Sequence, residues 1–458
     1  MFAGIVVMLL PVASLRAQDL QAIAGGMLID GRGTSAVADA VILVRGGRIE
    51  CAGSRTDCRV PPSAQRLDAR GTWVIPGLID AHVHFSQTGW FDGRPDAVDL
   101  RDDFPYPKVV ASLEEGPERF FKSYLCAGVT SVFDVGGYPW TWALRKRYAT
   151  SIGAPRIAAA GPLLATIDFW LNLPGQQQFI YMANDSVVRQ AVRTHAAFKS
   201  DALKIWYIMP PHPPDTARAQ ALVRAAADEA QAHGLPLIVH ATGLWEAKDA
   251  IRAGARVLVH SVSEALVDTE FLALARDHRI TYIPTLMVTE GYGEAATGVV
   301  DGSRYPLGCL DSVSASLARS GPPSVARVPA QFRKPEVREF FAKQVANAME
   351  NAKRLHEAGV TIAVGTDAGN PGTFHGPSIY REMALLQEAG LSPKHVLVAA
   401  TRNAALAMGR QHDVGTLTAG KVADLLAITA DPTADIRNVQ RIRWVMKGGV
   451  VLRPDGRK

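Results

Sequence analysis

Histidine and aspartate side chains that could bind metal ions lie near the ends of apolar stretches. His82 and His84 alternate within "VIPGLIDAHVHF", at residues 74–85. Three more occur singly in "IVHATG", "LVHSV" and "VGTDAG": His240, His260 and Asp367. Alternate residues of a strand share a face and lie about 7 Å apart, so His82 and His84 can converge on one ion. Taken by themselves, these two could equally be hydrogen-bonded core histidines.

Imidazole and carboxylate groups are good ligands for zinc and similar divalent ions, and a site with open coordination can hold water. Five such ligands exceed the needs of one tetrahedral ion, which favours two ions. Lys204, in the apolar stretch "LKIW", fits such a site if the amine has added carbon dioxide and become a bridging carbamate. The alternative is an ion pair between Lys204 and a carboxylate such as Asp134.

The elements that must position these side chains alternate between apolar strands and amphipathic helices. This pattern predicts an α/β protein with a (β/α)₈ TIM barrel over residues 74–410, in which the carboxyl ends of the strands carry the chemistry. The predicted strands are 74–84, 129–136, 156–164, 202–208, 236–243, 256–262, 281–288 and 361–369. All six candidate ligands fall near the carboxyl ends of these strands.

The two chain ends contain short strand-like pieces separated by Gly-Gly and Gly-Arg turns. Neither end can bury a face alone, so residues 18–73 and 411–458 are predicted to form one small β-sandwich domain together. The apolar segment 4–15 is too short to span a bilayer. It is interpreted as part of a signal peptide, residues 1–17, with a buried strand as the alternative. A secreted or periplasmic protein follows from the first interpretation.

The bulk composition excludes several classes of protein. Of 458 residues, 48% are hydrophobic and 20% charged, and the net charge is +5, as in an ordinary globular chain. Lysine and arginine are scattered, so no nucleic-acid partner is expected. No membrane association is expected after removal of the signal peptide, and the sequence leaves open whether the chain forms homo-oligomers. In an exported protein Cys51 and Cys58 could form a disulfide, whereas Cys126 and Cys309 suggest neither catalysis nor a zinc finger.

A long stretch rich in Gly, Pro, Ser and Arg, residues 289–335, is predicted to be a lid inserted after the seventh strand. It contains two tyrosines and four arginines: Tyr292, Tyr305, Arg304, Arg319, Arg327 and Arg333. A mobile basic lid suits a substrate with a free carboxylate, because Arg pairs with carboxylates in bidentate fashion. The alternative is a solvated loop whose arginines only aid solubility.

These motifs resemble those of the amidohydrolase superfamily. "PGLIDAHVH", the lysine, the two single histidines and "GTDAG" are similar to its binuclear branch, which includes imidazolonepropionase-like proteins and Xaa-Pro dipeptidases. The stretches "HGPSIYREMALLQEAGLSPKHVLVAATRNAALAMG" and "GTLTAGKVADLLAI" resemble the C-terminal block of that family. The likeness runs from about residue 40 to the end of the chain.

The resemblance implies a role for each candidate residue. His82, His84 and Asp367 would hold the more buried ion and His240 and His260 the more exposed one, with carboxylated Lys204 as the bridge. Zinc is the expected metal. Asp367 would also be the catalytic residue, moving a proton from the metal-bound hydroxide to the leaving amine. His375, in "NPGTFHGP", is a candidate substrate contact, with a surface histidine as the alternative.

The sequence therefore predicts a metal-dependent amidohydrolase that attacks an amide or peptide bond of a small substrate with a metal-bound hydroxide. An N-acyl amino acid or a dipeptide is the expected substrate. The alternatives are hydrolysis of a cyclic amide, ester or lactone on the same metals, and a non-catalytic relative that keeps the barrel as a binding module. Loss of metal ligands would mark the last case, and all six are present.

Overall fold

The computed structural model describes residues 20–95, 97–168, 178–209, 216–297, 305–320 and 330–452. The expected signal peptide lies outside these residues. The described chain forms a (β/α)₈ barrel and a second, smaller β unit built from both chain ends, so the predicted architecture is confirmed.

Strands predominate at the two chain ends, and strands and helices alternate between them. The strands are β1 (Gln21–Leu28), β2 (Val37–Arg45), β3 (Arg48–Gly53), β4 (Gln65–Asp68), β5 (Trp73–Pro76), β6 (Leu78–Val83), β7 (Val129–Asp134), β8 (Arg156–Ala159), β9 (Leu163–Ala165), β10 (Phe179–Tyr181), β11 (Leu203–Trp206), β12 (Leu237–His240), β13 (Val257–Val259), β14 (Thr281–Ile283), β15 (Thr361–Ile362), β16 (Leu425–Ile428), β17 (Ile442–Lys447) and β18 (Val450–Leu452). The helices are α1 (Tyr106–Glu115), α2 (Glu118–Cys126), α3 (Trp140–Arg147), α4 (Asp185–Ala197), α5 (Thr216–Ala232), α6 (Leu244–Ala253), α7 (Thr269–Asp277), α8 (Leu286–Thr297), α9 (Ser312–Ser320), α10 (Pro335–Glu357), α11 (Ser378–Glu388), α12 (Pro393–Val398) and α13 (Ala404–Ala407).

The chain ends meet in one sheet with the strand order β18-β17-β16-β5-β1-β2-β3, and β4 pairs with β1. Strand β5 from the N-terminal part is parallel to β1 and antiparallel to β16 from the C-terminal part. One face of the sheet is closed by buried side chains from both parts, among them Val74 and Leu425. Neither part has this apolar face covered without the other.

The predicted first strand, residues 74–84, is divided at Gly77. The residues before Gly77 belong to the sheet of the chain ends, and those after it begin the barrel at β6. A Cβ atom at residue 77 would lie 2.2 Å from Oγ1 of Thr130 in β7, so only glycine fits there. The sequence pattern did not separate these strands because both are apolar and buried.

The barrel strands follow one another around the ring in chain order. β6, β7 and β8 are paired in parallel, and the order β9-β11-β12-β13-β14-β15 continues the ring, with β10 beside β9. β8 and β9 together form the third strand, which is interrupted at Gly161 where the ring of Trp142 packs. The barrel closes between the eighth and first strands, where the backbone N–H of Asp367 donates to the carbonyl of His82 at 2.7 Å.

The helices pack around the strands through alanine-rich and leucine-rich faces. In α5, for example, Leu222, Val223 and Ala226 are buried against the barrel while the opposite side of the helix is polar. Such a stripe is typical of helices that cover a parallel barrel. Within the described part of the chain, no helix is long and apolar enough to cross a membrane.

All four cysteines form disulfides. Cys51 and Cys58, seven residues apart, form the bridge that the sequence suggested. Cys126 at the end of α2 and Cys309 in the insertion form a second bridge, which sequence spacing did not indicate because 183 residues separate them. The second bridge attaches the middle of the insertion to the outside of the barrel.

The two disulfides are expected to differ in their contribution to stability. In the chain-entropy model the longer loop restricts the unfolded state more, so the double change Cys126→Ser and Cys309→Ser should lower the free energy of unfolding by about 2–4 kcal/mol. The change Cys51→Ser with Cys58→Ser is the matched control and should cost less. Thermal unfolding of both variants measures the difference. An equal or larger loss in the control would contradict this prediction.

Candidate metal centre

The candidate histidines and Asp367 lie at the carboxyl ends of the barrel strands, and Lys204 lies two residues deeper, within β11, where it pairs with Ile238. His82 lies in β6 and His84 just beyond it, while His240 ends β12 and His260 follows β13. Asp367 lies beyond β15, which is shorter than predicted because regular pairing ends at Ile362. The backbones of His260 and Asp367 are left-handed, with φ of 69° and 63°. Such strained conformations in non-glycine residues cluster at functional sites.

Asp367 lies at the centre of the first group of donors. Its Oδ1 is 2.9 Å from Nε2 of His84 and 3.3 Å from Nε2 of His82, and these two nitrogens are 3.2 Å apart. The imidazole of His260 lies beside this group, with its Nδ1 3.7 Å from Oδ2 of Asp367 and its Nε2 still available as a ligand atom. One ligand atom from each of His82, His260 and Asp367 lies within 4.8 Å of the others, so these three residues alone could hold an ion.

The remaining two candidates border the same group. The ring centroids of His240 and His260 are 4.3 Å apart, and Nε2 of His240 is buried without a hydrogen-bond partner. Lys204 is 1% exposed and shares the wall of the cavity with both histidines. A buried imidazole nitrogen without a partner is the kind of donor that a metal ion satisfies. The structure thus brings all six candidate ligands together, and they fit a metal centre.

The electrostatics of the site favour neutral imidazoles. Burial, followed by the charge of Lys204, lowers the pKa of His82 and His240 far below its ordinary value. The pKa of His260 is also lowered, mainly by burial and to a smaller extent by the neighbouring His240. Burial also lowers the pKa of Lys204 to about 7, against the effect of the carboxylate of Asp367. Neutral imidazoles are the form that binds metal, so these three histidines are ready to bind without first releasing protons.

Two buried carboxylates hold the backbone around the ligands. Asp80 Oδ1 accepts from the N–H of Thr366 at 2.9 Å, and its Oδ2 accepts from the hydroxyl of Thr366 at 2.6 Å, which joins the first strand to the eighth. Asp134 accepts from the N–H groups of Phe85 at 3.0 Å and Gly136 at 3.1 Å. Both oxygens of Asp134 therefore accept backbone hydrogen bonds from the loops beside His84. These hydrogen bonds do not depend on the charge of Lys204.

A cavity of about 360 Å³ opens over the donors. Its wall combines candidate ligands such as His84 and Lys204 with the aromatic side chains of Phe179, Trp206 and Phe341. This volume lies at the small end of ligand pockets, which commonly have apolar walls and a few convergent polar groups. The cavity therefore fits a small substrate with an apolar part.

Sequence reasoning missed Arg94, which also lines this cavity. Its guanidinium donates to Oδ1 of Asn370 and lies 5.8 Å from the ring centroid of Tyr292. The hydroxyl of Tyr292 donates to the same oxygen at 2.9 Å, and Nδ2 of Asn370 donates to the carbonyl of Asp367 at 3.2 Å. Arg94 follows the first strand by ten residues, so only the path of that loop could place it.

His375, the candidate substrate contact, is absent from the wall of the cavity in this structure. His375 is 1% exposed, and both ring nitrogens have partners: the hydroxyl of Tyr124 at 2.8 Å and the carbonyl of Gln87 at 3.0 Å. Its ring stacks on the ring of Phe85 with an angle of 4° between the two planes, and its centroid lies 3.9 Å from the ring centroid of Phe120. The alternative of a surface histidine is wrong, and the contact with Gln87 holds His375 against the loop after the first strand.

Those arginines of the predicted lid that the structure describes do not line the cavity. Arg319 and Arg333 are exposed and absent from its wall, and Arg304 and Arg327 lie outside the described residues. Tyr292, from the start of the same insertion, does line the cavity. Tyr305 instead donates to the carbonyl of Gly372 at 3.1 Å, on the loop that follows Asp367.

The chain is similar to known proteins in sequence and in fold. The model of the amidohydrolase family matches residues 73–452. The chain is 27% identical to imidazolonepropionase of Aromatoleum aromaticum over 405 residues, covering 88% of each chain. It is 26% identical to ochratoxinase of Aspergillus niger over 487 residues, covering 98% of this chain and 89% of that one. The solved structure of a Xaa-Pro dipeptidase with bound methionine in the active site has a TM-score of 0.72 and 23% identity, covering 95% of this chain and 100% of that one.

Proposed function

The chain belongs to the amidohydrolase family and is a metal-dependent hydrolase, and from this premise we propose that it cleaves the amide bond of a small substrate with a free carboxylate. The substrate class is an N-acyl amino acid or a dipeptide. The observation that carries this proposal is the placement of Arg94 in the wall of the same 360 Å³ cavity as the metal-ligating residues.

Arg94 is held in a fixed position relative to Asp367. Asn370 connects the two, because its side chain accepts from Arg94 and donates to the carbonyl of Asp367. The charge of Arg94 also contributes to the lowered pKa of His240 and His260, after the larger effect of burial. A guanidinium binds a carboxylate with two parallel hydrogen bonds, so it can orient a substrate whose scissile carbonyl lies at the donors.

The proposed metal centre contains two divalent ions, with zinc as the expected metal. Five neighbouring side chains supply more ligands than one tetrahedral ion takes: His82, His84, Asp367, His240 and His260. A carboxylated lysine at residue 204 is the proposed bridge. Its support is the complete burial of this side chain among the ligands, together with a pKa lowered to about 7, because the uncharged amine is the form that adds carbon dioxide.

When bound, such ions lower the pKa of water and polarise a carbonyl group. The chain's own residues then have separate tasks. Arg94 binds the carboxylate, and the aromatic wall formed by Trp206 and Phe179 packs against the apolar part of the substrate. Asp367 accepts a proton at its carboxylate from the attacking water and donates it to the nitrogen of the leaving amine.

The proposed localisation is secreted or periplasmic. The apolar N-terminal segment supports it, and so do the two disulfides, because stable disulfides belong to oxidising compartments.

The proposal is tested by assaying zinc-loaded protein on matched pairs of N-acyl amino acids and dipeptides with free or methyl-esterified carboxylates. The free carboxylate is expected to give a kcat/KM about 10- to 100-fold higher, since hydrogen bonds to a charged group contribute about 1.5–3 kcal/mol. Lactones and cyclic amides belong in the same panel. Equal rates on free and esterified substrates, or activity on lactones alone, would contradict the proposed substrate class.

Variants connect this preference to Arg94. Arg94→Met should abolish the difference between free and esterified substrates while retaining slow hydrolysis of both. Arg319→Ala removes an exposed arginine of the insertion and is the matched control, which should behave like the wild type. If Arg94→Met still prefers the free over the esterified substrate, a residue other than Arg94 binds the substrate carboxylate.

A further inference from the structure

His260 has a close polar partner on the neighbouring strand end. Its Nδ1 lies 2.8 Å from Oγ1 of Thr285, which follows β14 and is 1% exposed. The strands carrying them are adjacent, since Val259 pairs with Ile283. No step of the proposed mechanism uses Thr285, although its hydroxyl is one of the nearest polar groups to a candidate metal ligand.

The backbone at Thr285 is strained. Its φ is 45°, and a β-branched residue in the left-handed region is a genuine outlier. His260 is left-handed as well, so two consecutive strand ends adopt unfavourable conformations at the point where their side chains meet. Such strain persists only where the surroundings impose it, and it is typical of functional positions.

The surroundings hold Thr285 from two sides. On one side, the hydroxyl of Ser261 donates to the carbonyl of Pro284 at 3.1 Å. On the other, the fully buried carboxylate of Glu382 in α11 accepts from the N–H of Met287 at 2.7 Å, which fixes the first turn of α8. Thr285 directly precedes that turn, so its position is set by both contacts.

We propose that Thr285 is a positioning residue that orients His260 as a metal ligand. Its hydroxyl accepts the proton of Nδ1, which leaves the lone pair of Nε2 for the ion. The partner of the second ring nitrogen commonly fixes the tautomer and orientation of a metal-bound histidine. This inference rests on the proposed metal centre and adds a residue to it.

The test compares Thr285→Val with Thr285→Ser by competition of zinc-loaded protein with a chromogenic chelator. Valine keeps the β-branched shape and the backbone conformation but lacks the hydroxyl, so zinc affinity should fall about 10- to 100-fold. Serine keeps the hydroxyl and should restore affinity to near the wild-type value. If the valine variant does not fold, Thr285→Ala replaces it in the comparison with serine.

Thr141→Val is the matched control, because this fully buried threonine donates to the carbonyl of Tyr138 outside the donor group. It should leave zinc affinity unchanged. Wild-type affinity in Thr285→Val, or the same loss in the serine variant, would overturn the inference. If the wild-type protein binds only one zinc ion, the dinuclear centre is contradicted. The comparison of the valine and serine variants still tests the role of Thr285 in that case, because His260 also belongs to the three-residue group with His82 and Asp367. A wild type without zinc affinity overturns both.

Discussion

Replacing Asp367 with asparagine is expected to lower kcat by about 10²–10⁴, the usual contribution of a general acid–base group. Asparagine keeps the shape and one ligating oxygen but cannot accept the proton of the attacking water. The left-handed φ of 63° is also tolerated by asparagine, so the backbone should be retained. The loss of turnover should therefore far exceed the loss of metal.

Steady-state kinetics and elemental analysis of the same Asp367→Asn preparation separate the two effects. The carboxylate lies 2.9 Å from Nε2 of His84 and 3.3 Å from Nε2 of His82, so some loss of metal affinity is expected too. If Asp367→Asn keeps near-wild-type turnover with the ions bound, Asp367 is not the group that transfers the proton. A loss of turnover that only follows the loss of metal would restrict the residue to the role of a ligand.

Replacing Lys204 with alanine is expected to remove metal and reduce activity below about 1% of the wild type, since even outer partners of metal ligands contribute 10- to 100-fold. Acetate or propionate should restore part of both by occupying the position of the bridge. Wild-type protein itself should contain close to two ions per chain.

Lys447→Ala is the matched control for this change. Lys447 is also buried, at 2% exposed, and donates to the carbonyl of Ser151 far from the barrel centre. Burial lowers its pKa to about 8. This variant should lose stability without losing zinc, and short carboxylic acids should have no effect. Full metal content in Lys204→Ala would reduce Lys204 to an electrostatic role.

The sequence predicted the barrel and its donor group because both follow from strand order. Parallel strands end at the same edge, so single polar residues such as His240 and His260 at those ends must meet. The convergence of His82 with His84 followed from the two-residue period of a strand. These inferences need no knowledge of loop paths.

The features that sequence reasoning missed depend on contacts between distant segments. Arg94 reaches the cavity because the loop after the first strand folds back onto Asn370. His375, eight residues beyond Asp367, does not line the cavity, because its loop packs onto Phe85 and Tyr124. A distance along the chain does not fix the direction of a loop, so neither placement could be predicted.

The single-residue connection at Gly77 couples the two units of the protein during synthesis. Strand β5 leads into the first barrel strand almost at once, yet its second neighbour, β16, begins only at Leu425. Until the ribosome has released that segment, one edge of β5 lacks its partner strand, and an unpaired edge is a template for aggregation. The small domain therefore cannot be completed co-translationally ahead of the barrel, and a truncation before Leu425 would leave an open sheet beside an otherwise complete catalytic unit.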